Sequence, residues 1–441
     1  MAFDPIVAST TRVADHREPA FVHDEDQRAA TARLAEHRAR HGRPPNVLVI
    51  LFDDVGWGDF GCYGGGVAVG APTPHIDELA RRGLLLTSCY SEPSCSPSRA
   101  SLLTGRLPMR HGLLRPPMYG EPGGLDGEVT LAELLHGAGY ATQAVGKWHM
   151  GENRVSQPQH VGFDDFYGFL SVSDMYTEWR DPYFFPEIVY SVERTEWVRN
   201  QPFNRCFVHA TRGGDTEDVE EVTIPVLARL DDMWCSYSAD FVRRMAGGDR
   251  PWFLYHCTRG AHFDNYPHER YLGTSPARHP YKDTIVELDA IVGRLLEVLR
   301  ETGQLEDTIV LVSSDNGPEM ETWPDAAYSP FRCAKGSTWE GGVRVPAVVA
   351  WPGVIDAGRS SDGLFSFTDV LPTVAALADA PDAVPSDRFI DGVDQTSFLV
   401  APAAARTAST STTGCSTGSR RCGSASTSSC CRRSPTTTAT C

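Results

Sequence analysis

The chain of 441 residues is long enough for one large domain and a smaller one, and it can bury a sizeable core without disulfide support. Its formal net charge is −17, and because residues 401–441 hold five Arg and no Asp or Glu, residues 1–400 carry −22. A body this acidic disfavours nucleic acid and anionic membrane as partners, so a site for an anionic substrate must supply its own cations or a metal.

The first 44 residues predict a polar, partly helical lead-in. Asp, Glu, Arg and Ala mix from Met1 to Arg43, with no apolar run of signal-peptide length. No stretch of the chain approaches the roughly 20 apolar residues of a membrane span. Seven of the twelve cysteines are scattered through the body and five crowd the tail, which indicates neither a disulfide framework nor a cysteine zinc pattern. We therefore expect a cytoplasmic protein with no membrane partner.

Strands and helices alternate after Arg43-Pro44-Pro45. Asn46–Phe52 is a continuous apolar run, typical of a strand buried on both faces of a sheet. Further helices are predicted near 74–83, 98–103, 130–136, 230–246 and 281–302, and strands near 84–89, 140–145, 252–256 and 308–313. Residues 152–225 lack this regularity and are predicted to form long loops that could cover a site. The alternation predicts an α/β sandwich with a large, mixed, mostly parallel sheet flanked by helices, with ligands at the carboxyl ends of its strands.

The most informative segment is Cys95-Ser-Pro-Ser-Arg-Ala-Ser-Leu-Leu-Thr-Gly-Arg106. It resembles the type I sulfatase signature, in which the Cys of Cys-x-Pro-Ser-Arg is converted to formylglycine by a formylglycine-generating enzyme. If a helix follows, Cys95 lies near its N-terminus, where partial positive charge favours an ionised nucleophile and a bound anion. The alternative is a structural Cys buried in a proline-bounded turn.

The resemblance implies an alkaline phosphatase-like fold and an arylsulfatase-like sulfuric ester hydrolase. The substrate would be a small-molecule or glycan sulfate ester, aryl or carbohydrate, cleaved at its S–O bond. A hydrated formylglycine has one hydroxyl to attack sulfur and another whose deprotonation expels sulfate, an escape that an unmodified thiol lacks. Two alternatives stay open: a phosphomonoester, phosphodiester or phosphonate hydrolase of the same superfamily, and a truncated, inactive sulfatase-like protein.

Two acidic pairs each follow a predicted strand. Asp53 and Asp54 end the first strand, and Asp315 and Asn316 follow the strand near 308–313, so both pairs should reach the same sheet edge. Taken alone, a strand-end Asp-Asp is more often a solvated turn. Four oxygen donors suit Ca²⁺ or Mg²⁺. The resemblance implies that these four residues are the metal ligands, completed by an oxygen of the modified Cys95.

Two basic blocks supply local positive charge. The segment ending Gly146-Lys147-Trp148-His149 is similar to the second sulfatase signature, which implies that Lys147 contacts a sulfate oxygen and that His149 acts as base. On their own, these would be a surface Lys and a core His. Lys335, in a block spanning 330–346, corresponds to a second sulfate-binding lysine, and Arg99 adds a further cation. Glu340 and Arg344 of that block are predicted to form a structural ion pair, and Cys333 stands where the family has Gly.

A second histidine is the candidate general acid. His262, in Arg259-Gly-Ala-His-Phe263, partly matches a family loop of the Gly-Pro-His-Phe-Pro kind, with Ala in place of Pro and Asp264 after Phe. The resemblance implies that His262 protonates the leaving alcohol oxygen. His256 and His268 are the competing imidazoles.

The similarity extends from about Asn46 to Phe398 and then stops. We accordingly divide the chain into the lead-in 1–44, a catalytic domain 45–400 and a tail 401–441. The tail has no Leu, Ile, Val or aromatic residue, so it should be disordered. It is either a natural Ser/Thr-rich tail or the product of a reading-frame shift near Val400, which we favour. The smaller C-terminal subdomain of the family would then be missing or disrupted.

Overall fold

The computed structural model describes residues 9–117, 121–177, 205–263, 265–320 and 328–402. Residues 403–441 of the predicted tail and part of the predicted loop region lie outside these ranges. The disorder of the tail therefore stays a prediction. Within the described ranges, no helix combines the length and the apolar composition needed to cross a bilayer.

A large mixed sheet forms the centre of the molecule. The strands of the described residues are β1 (Ser9–Ala14), β2 (Arg17–His23), β3 (Asn46–Phe52), β4 (Leu84–Tyr90), β5 (Ala141–Lys147), β6 (Asp165–Phe169), β7 (Cys206–Thr211), β8 (Glu217–Glu221), β9 (Trp252–Cys257), β10 (Thr308–Ser314), β11 (Arg344–Ala350), β12 (Arg359–Ser361) and β13 (Phe365–Ser366). The large sheet has the order β12-β4-β11-β10-β3-β9-β5-β6-β7-β8, with β13 also on β4, while β1 and β2 form a separate hairpin. The central strands β10, β3, β9, β5 and β6 are parallel to one another, while β11 and β7 on either side of them run antiparallel, which confirms the predicted mixed, mostly parallel sheet.

Helices cover both faces of this sheet. They are α1 (Asp24–His41), α2 (Pro74–Arg82), α3 (Cys95–Thr104), α4 (Pro108–His111), α5 (Leu131–Gly137), α6 (Asp174–Thr177), α7 (Ile224–Leu227), α8 (Leu230–Met245), α9 (Pro280–Glu301), α10 (Glu340–Val343), α11 (Val370–Leu377) and α12 (Thr396–Val400). Successive side chains of β3 point to opposite faces, so Val49 packs in the core with α3, α5 and α11, whereas Ile50 packs with α2, α8 and α9. Burial on both faces explains the unbroken apolar run of this strand.

The loop prediction for residues 152–225 was wrong in part. Strands β6, β7 and β8 lie there and extend one side of the sheet. The outermost strand, β8, reads Glu-Asp-Val-Glu-Glu and is mostly exposed, so it lacks the apolar alternation by which a strand is recognised. Such charge is common on edge strands, where it discourages pairing with other chains. Residues 178–204 of this region lie outside the described residues.

The lead-in is docked onto the body of the fold. The hairpin β1–β2 is followed by α1, and Nη1 of Arg33 donates hydrogen bonds to the carbonyls of Val354 and Val400, at 3.0 and 3.1 Å. The buried residues of α1 are Asp26, Ala30 and His37, of which only one is apolar. Polar contacts therefore hold much of this helix in place, and hydrophobic patterning cannot reveal them.

Candidate active site

The two strand-end acidic pairs meet at one edge of the sheet. Strands β3 and β10 are parallel neighbours, so Asp53 and Asp54 after β3 lie beside Asp315 and Asn316 after β10. All four side chains are fully buried. The Asn316 side-chain amide donates to Oδ1 of Asp54 at 2.7 Å, and the Asp54 backbone N–H donates to Oδ1 of Asp315 at 3.2 Å. The structure thus brings together all four oxygen donors that the sequence singled out.

This cluster has the composition of a site for a hard cation. Oδ1 of Asp53 and Oδ1 of Asn316 are buried, and neither accepts a hydrogen bond within the described part of the chain. Buried oxygens without partners are costly, and a coordinated cation would satisfy them. Sγ of Cys95 and one carboxylate oxygen each of Asp53 and Asp315 lie within 4.8 Å of one another. The carboxylate and amide oxygens fit Ca²⁺ or Mg²⁺ better than a soft metal.

Helix α3 presents Cys95 to this cluster. The helix begins at Cys95 itself, three residues earlier than predicted, and each of its ten residues is buried. The thiol therefore lies at the positive end of the helix dipole. Sγ of Cys95 is 3.3 Å from Nδ1 of His149. Burial nevertheless raises the pKa of the Cys95 thiol, while Lys147 and Lys335 oppose that rise.

Arg99, one turn further along α3, is engaged with the carboxylates. Its Nε and Nη2 donate to Oδ2 of Asp315 at 3.0 and 2.7 Å, and its Nη1 donates to the carbonyl of Lys147 at 3.0 Å. Both side chains of the ion pair are fully buried. Arg99 therefore orients Asp315 and joins α3 to β5, so its charge acts on an anion through the acidic cluster.

The two predicted sulfate-binding lysines each contact a different carboxylate of the cluster. Nζ of Lys147, at the end of β5, donates to Oδ2 of Asp53 at 2.6 Å, and Nζ of Lys335 donates to Oδ2 of Asp54 at 2.8 Å. Gly146 lets β5 approach β9 closely, since a Cβ there would lie 1.7 Å from the Cys257 carbonyl oxygen. Its φ of 93° also favours glycine. This explains the Gly before Lys147 in the motif.

His149 is held in an uncommon conformation beside Cys95. Its φ is 57°, in the left-handed region that few non-glycine residues adopt, and Asp54 shares this feature with a φ of 58°. Backbone conformations of this kind concentrate at functional sites. Burial, reinforced by Lys147, holds the pKa of His149 well below its usual range. The ring is therefore held in its neutral form.

A loop after β9 carries His262 to the same site. Both carboxylate oxygens of Asp231 accept backbone N–H groups of this loop, from Arg259 at 2.9 Å and from Gly260 at 3.1 Å. Nε2 of His262 lies 3.8 Å from Oδ2 of Asp54. Burial alone would raise the pKa of Asp54, but Lys335 and then His262 lower it below its ordinary value.

The competing histidines lie elsewhere. His256 is buried within β9, where Nδ1 lies 2.8 Å from Oγ of Ser238, and burial lowers the pKa of His256 to about 3. Nδ1 of His268 accepts the backbone N–H of Arg270 outside the cluster. Of the three candidates, only His262 faces the strand-end carboxylates.

One residue of the site escaped sequence reasoning. Oε2 of Glu319 is 3.3 Å from Nζ of Lys335 and 4.0 Å from Nε2 of His262. One carboxylate oxygen each of Asp54 and Glu319 and one ring nitrogen of His262 lie within 4.8 Å of one another, so Glu319 extends the acidic cluster toward His262. The only signal was an acidic residue three positions after Asn316, which no spacing rule singles out.

The sequence block 330–346, which carries Lys335, also contains residues with structural roles. Nη1 of Arg344 is 3.2 Å from Oε2 of Glu340, and both side chains are partly exposed, so this is the expected structural ion pair. Cys333 is exposed and has a φ of 63°. That conformation favours glycine, which explains why the family usually carries Gly at this position.

The fold and these strand-end carboxylates define a member of the alkaline phosphatase superfamily of α/β proteins. The chain belongs to the sulfatase family, whose model, described as Sulfatase, matches residues 45–380.

Several sulfatases are similar to this chain. N-acetylgalactosamine-6-sulfatase of Canis lupus familiaris is 38% identical over 364 residues, covering 80% of this chain and 65% of that protein. Arylsulfatase A of Homo sapiens is 37% identical over 376 residues, covering 81% and 68%. The chain thus spans about two thirds of the length of these relatives. The crystal structure of PsFucS1 sulfatase from Pseudoalteromonas sp. superposes with a TM-score of 0.85 at 42% identity, covering 88% of this chain and 78% of that one.

Proposed function

We propose that this protein hydrolyses sulfate esters at the S–O bond through a formylglycine made from Cys95. The observation that carries the proposal is the position of the Cys95 side chain. It lies at the first turn of a buried helix, 3.3 Å from His149 and against the carboxylates of Asp53 and Asp315. A structural cysteine in a turn would have no need of these neighbours.

The proposed cation is Ca²⁺, with Mg²⁺ as the alternative. Asp53, Asp54, Asp315 and Asn316 would hold it, with an oxygen of the modified residue 95 as a further ligand. When bound, such a cation polarises the attacking group and offsets charge on the sulfuryl oxygens. The unpartnered oxygens of Asp53 and Asn316 support this assignment.

The side chains around residue 95 divide the work. A hydrated formylglycine provides one hydroxyl to attack sulfur as the ester S–O bond breaks, and a second whose deprotonation re-forms the aldehyde and releases sulfate. His149 accepts the proton of the second hydroxyl, and His262 donates a proton to the leaving alcohol oxygen. Lys147 and Lys335 supply the positive charge that an anion needs in an acidic protein. Water then restores the hydrate.

The proposed substrates are aryl or carbohydrate sulfates. The mammalian relative is named for a sulfate on N-acetylgalactosamine. A second solved relative, Ps i-CgsB in complex with k-i-k-neocarrahexaose, is 29% identical with a TM-score of 0.67, covering 80% of this chain and 75% of that one. Both support a glycan sulfate. The proposal also includes a formylglycine-generating enzyme in the host as a partner, because conversion of a thiol to an aldehyde is an oxidation.

Two measurements test the proposal. Mass spectrometry of the Cys95 peptide should show the aldehyde in place of the thiol. The purified protein should then hydrolyse an aryl sulfate faster than the matching aryl phosphate in the presence of Ca²⁺. A modified protein that prefers the phosphate would be a phosphoester hydrolase of the same superfamily, and a protein with an unmodified thiol and no activity on either ester would be a silent member of the family.

A further inference from the structure

A second cluster of metal-binding side chains lies at the opposite edge of the sheet. His37 and His41 are one turn apart on α1, so both face the same direction, and both approach Asp307, the residue that precedes β10. Nε2 of His37 is 3.2 Å and Nδ1 of His41 is 3.8 Å from Oδ1 of Asp307. The two rings stack with their centroids 4.3 Å apart.

The spacing of these atoms suits a tetrahedral metal ion. One nitrogen from each histidine and one oxygen of Asp307 all lie within 4.8 Å of one another. Zinc bonds of about 2.0–2.2 Å in a tetrahedron place neighbouring ligand atoms about 3.4 Å apart. The 3.2 and 3.8 Å separations bracket that value. Little movement is needed for all three side chains to bind one ion.

The polar atoms of this cluster are buried without hydrogen-bond partners. His37 and Asp307 are 5% and 4% exposed. Nε2 of His37 and Oδ1 of Asp307 are buried, and neither makes a hydrogen bond within the described ranges, although the two atoms lie 3.2 Å apart. The other oxygen of Asp307 is occupied, since Nη2 of Arg43 lies 2.7 Å from Oδ2. Unpartnered buried groups cost stability, and coordination would remove that cost.

The chemistry of the cluster selects the kind of metal. Two imidazoles and one carboxylate suit Zn²⁺ and similar transition metals, whereas Ca²⁺ and Mg²⁺ favour oxygen ligands. Arg43 holds the carboxylate from behind, as groups around metal ligands commonly do. The edge of Trp351 packs against the His37 ring at 4.7 Å and closes one side of the cluster.

We propose that His37, His41 and Asp307 bind one Zn²⁺, with water in the fourth position, and that this ion ties α1 to the start of β10. The site is separate from the strand-end carboxylates, because Asp307 and Asp315 lie at opposite ends of the same strand. Its role is structural. It fastens a polar helix that buries one apolar side chain to the catalytic body.

The test uses the full-length chain, stripped of metal and titrated with Co²⁺ and with Zn²⁺. Co²⁺ bound by nitrogen and oxygen in a tetrahedral site absorbs visible light strongly, while Co²⁺ among oxygens in an octahedral site absorbs weakly. We expect the wild-type chain to show the strong band and to bind one more equivalent of Zn²⁺ than the His37→Ala/His41→Ala variant. Zn²⁺ should also raise the melting temperature of the wild-type chain by more than it raises that of the double variant.

Two single variants keep the test decisive if the double variant folds poorly. His41→Ala alters a partly exposed residue and should weaken Zn²⁺ binding by more than about 100-fold, because changes around a metal ligand alone cost about 10- to 100-fold. His136→Ala is the matched control, since Nδ1 of His136 lies 2.8 Å from Asp164 in a histidine–carboxylate pair outside the cluster. Retention of the band and the extra equivalent in His41→Ala, or their absence from the wild-type chain, would overturn the proposal.

Discussion

Strand β10 has a buried aspartate at each end, and the surroundings of the two differ. Asp315, after the strand, joins Asp53, Asp54 and Asn316 in a set of oxygen donors. Asp307, before the strand, meets two imidazoles. Each aspartate is also paired with an arginine, Arg99 at one end and Arg43 at the other. The same residue type therefore serves two different kinds of site.

The different surroundings of Asp307 and Asp315 follow from which side chains reach each end of the parallel strands. At the carboxyl ends of β3, β5, β9 and β10, the chain leaves the sheet in loops, and side chains from several strands converge there. At the amino end of β10, the lead-in helix supplies the neighbours of Asp307 instead. Oxygen donors from strand ends favour a hard cation, and nitrogen donors from a helix face favour zinc.

Loss of the nucleophile should have the largest effect. Cys95→Ser places a single hydroxyl in the site at the carboxyl ends of the strands. This serine cannot be oxidised to the aldehyde in the same way as a cysteine. Once sulfated, it also has no second hydroxyl with which to expel sulfate. We expect steady-state turnover of an aryl sulfate to fall by about 10⁶-fold, as for loss of a nucleophile in other hydrolases. Cys62→Ser, at a half-buried cysteine outside the cluster, is the control. Turnover that survives in Cys95→Ser would contradict the assignment of Cys95 as the source of the nucleophile.

Loss of the general acid, His262, should have the second-largest effect on turnover. His262→Ala should lower turnover by about 10²- to 10⁴-fold, the usual contribution of a positioned acid or base. The loss should be greater for an alkyl sulfate than for a nitrophenyl sulfate, because a nitrophenolate leaves without protonation. His268→Ala should have little effect on either substrate. Equal losses on both substrates would mean that His262 does not protonate the leaving group.

The two aspartates of β10 offer a direct comparison. Asp315→Asn removes the carboxylate that the fully buried Arg99 binds at 2.7 Å and leaves it the Asp53 carboxylate at 3.7 Å, which should lower the free energy of unfolding by about 3–5 kcal/mol, with loss of activity. Asp307→Asn removes the carboxylate that pairs with Arg43. Because Arg43 is partly exposed and water can solvate it, the free energy of unfolding should fall by only about 1–2 kcal/mol, with activity retained. Urea denaturation and a turnover assay measure both. If Asp307→Asn abolished activity in a folded protein, the two ends would not be independent.

A buried carboxyl beside the catalytic helix should make stability depend on pH. Burial raises the pKa of Glu92 from 4.5 to about 8, and the Ser101 hydroxyl partly opposes this. Because the folded state holds this proton more tightly than the unfolded chain, stability should fall as pH rises from about 4.5 to 8, by a few kcal/mol (~1.4 per pH unit). Glu92→Gln should flatten that part of the profile, measured by urea denaturation. Glu301→Gln, at an exposed helix end, should leave the slope unchanged.

The smallest effect concerns the backbone near Lys335. Cys333→Gly should raise the free energy of unfolding by about 1 kcal/mol, because a φ of 63° is strained for a residue with a Cβ. Thermal denaturation measures the change, and Cys206→Gly, within β7, is a control that should destabilise. A loss of stability in Cys333→Gly would show that the cysteine side chain makes a compensating contact.

Much of the site could be predicted because its residues lie next to strands in the sequence. The apolar run that forms β3 and the one that forms β10 each end in polar residues, and parallel pairing of the two strands places both ends together. The motif around Cys95 likewise indicated its chemistry. Glu319 and the strand β8 could not be predicted, since neither has a periodic or motif signal. The missed β11 (Arg344–Ala350) is a largely buried, mostly apolar run that overlaps the end of the motif block 330–346.

The sequence by itself determined the α/β architecture, the family and the strand-end carboxylates, because hydrophobic periodicity and short motifs are local properties of the chain. Only the tertiary structure decided that Arg99 binds Asp315, that the lysines rest on Asp53 and Asp54, and that His37 and His41 meet Asp307. In the active site, these contacts join residues that are 94 to 281 positions apart in the sequence. Their partners are chosen by the packing of whole strands and helices, which no local pattern records.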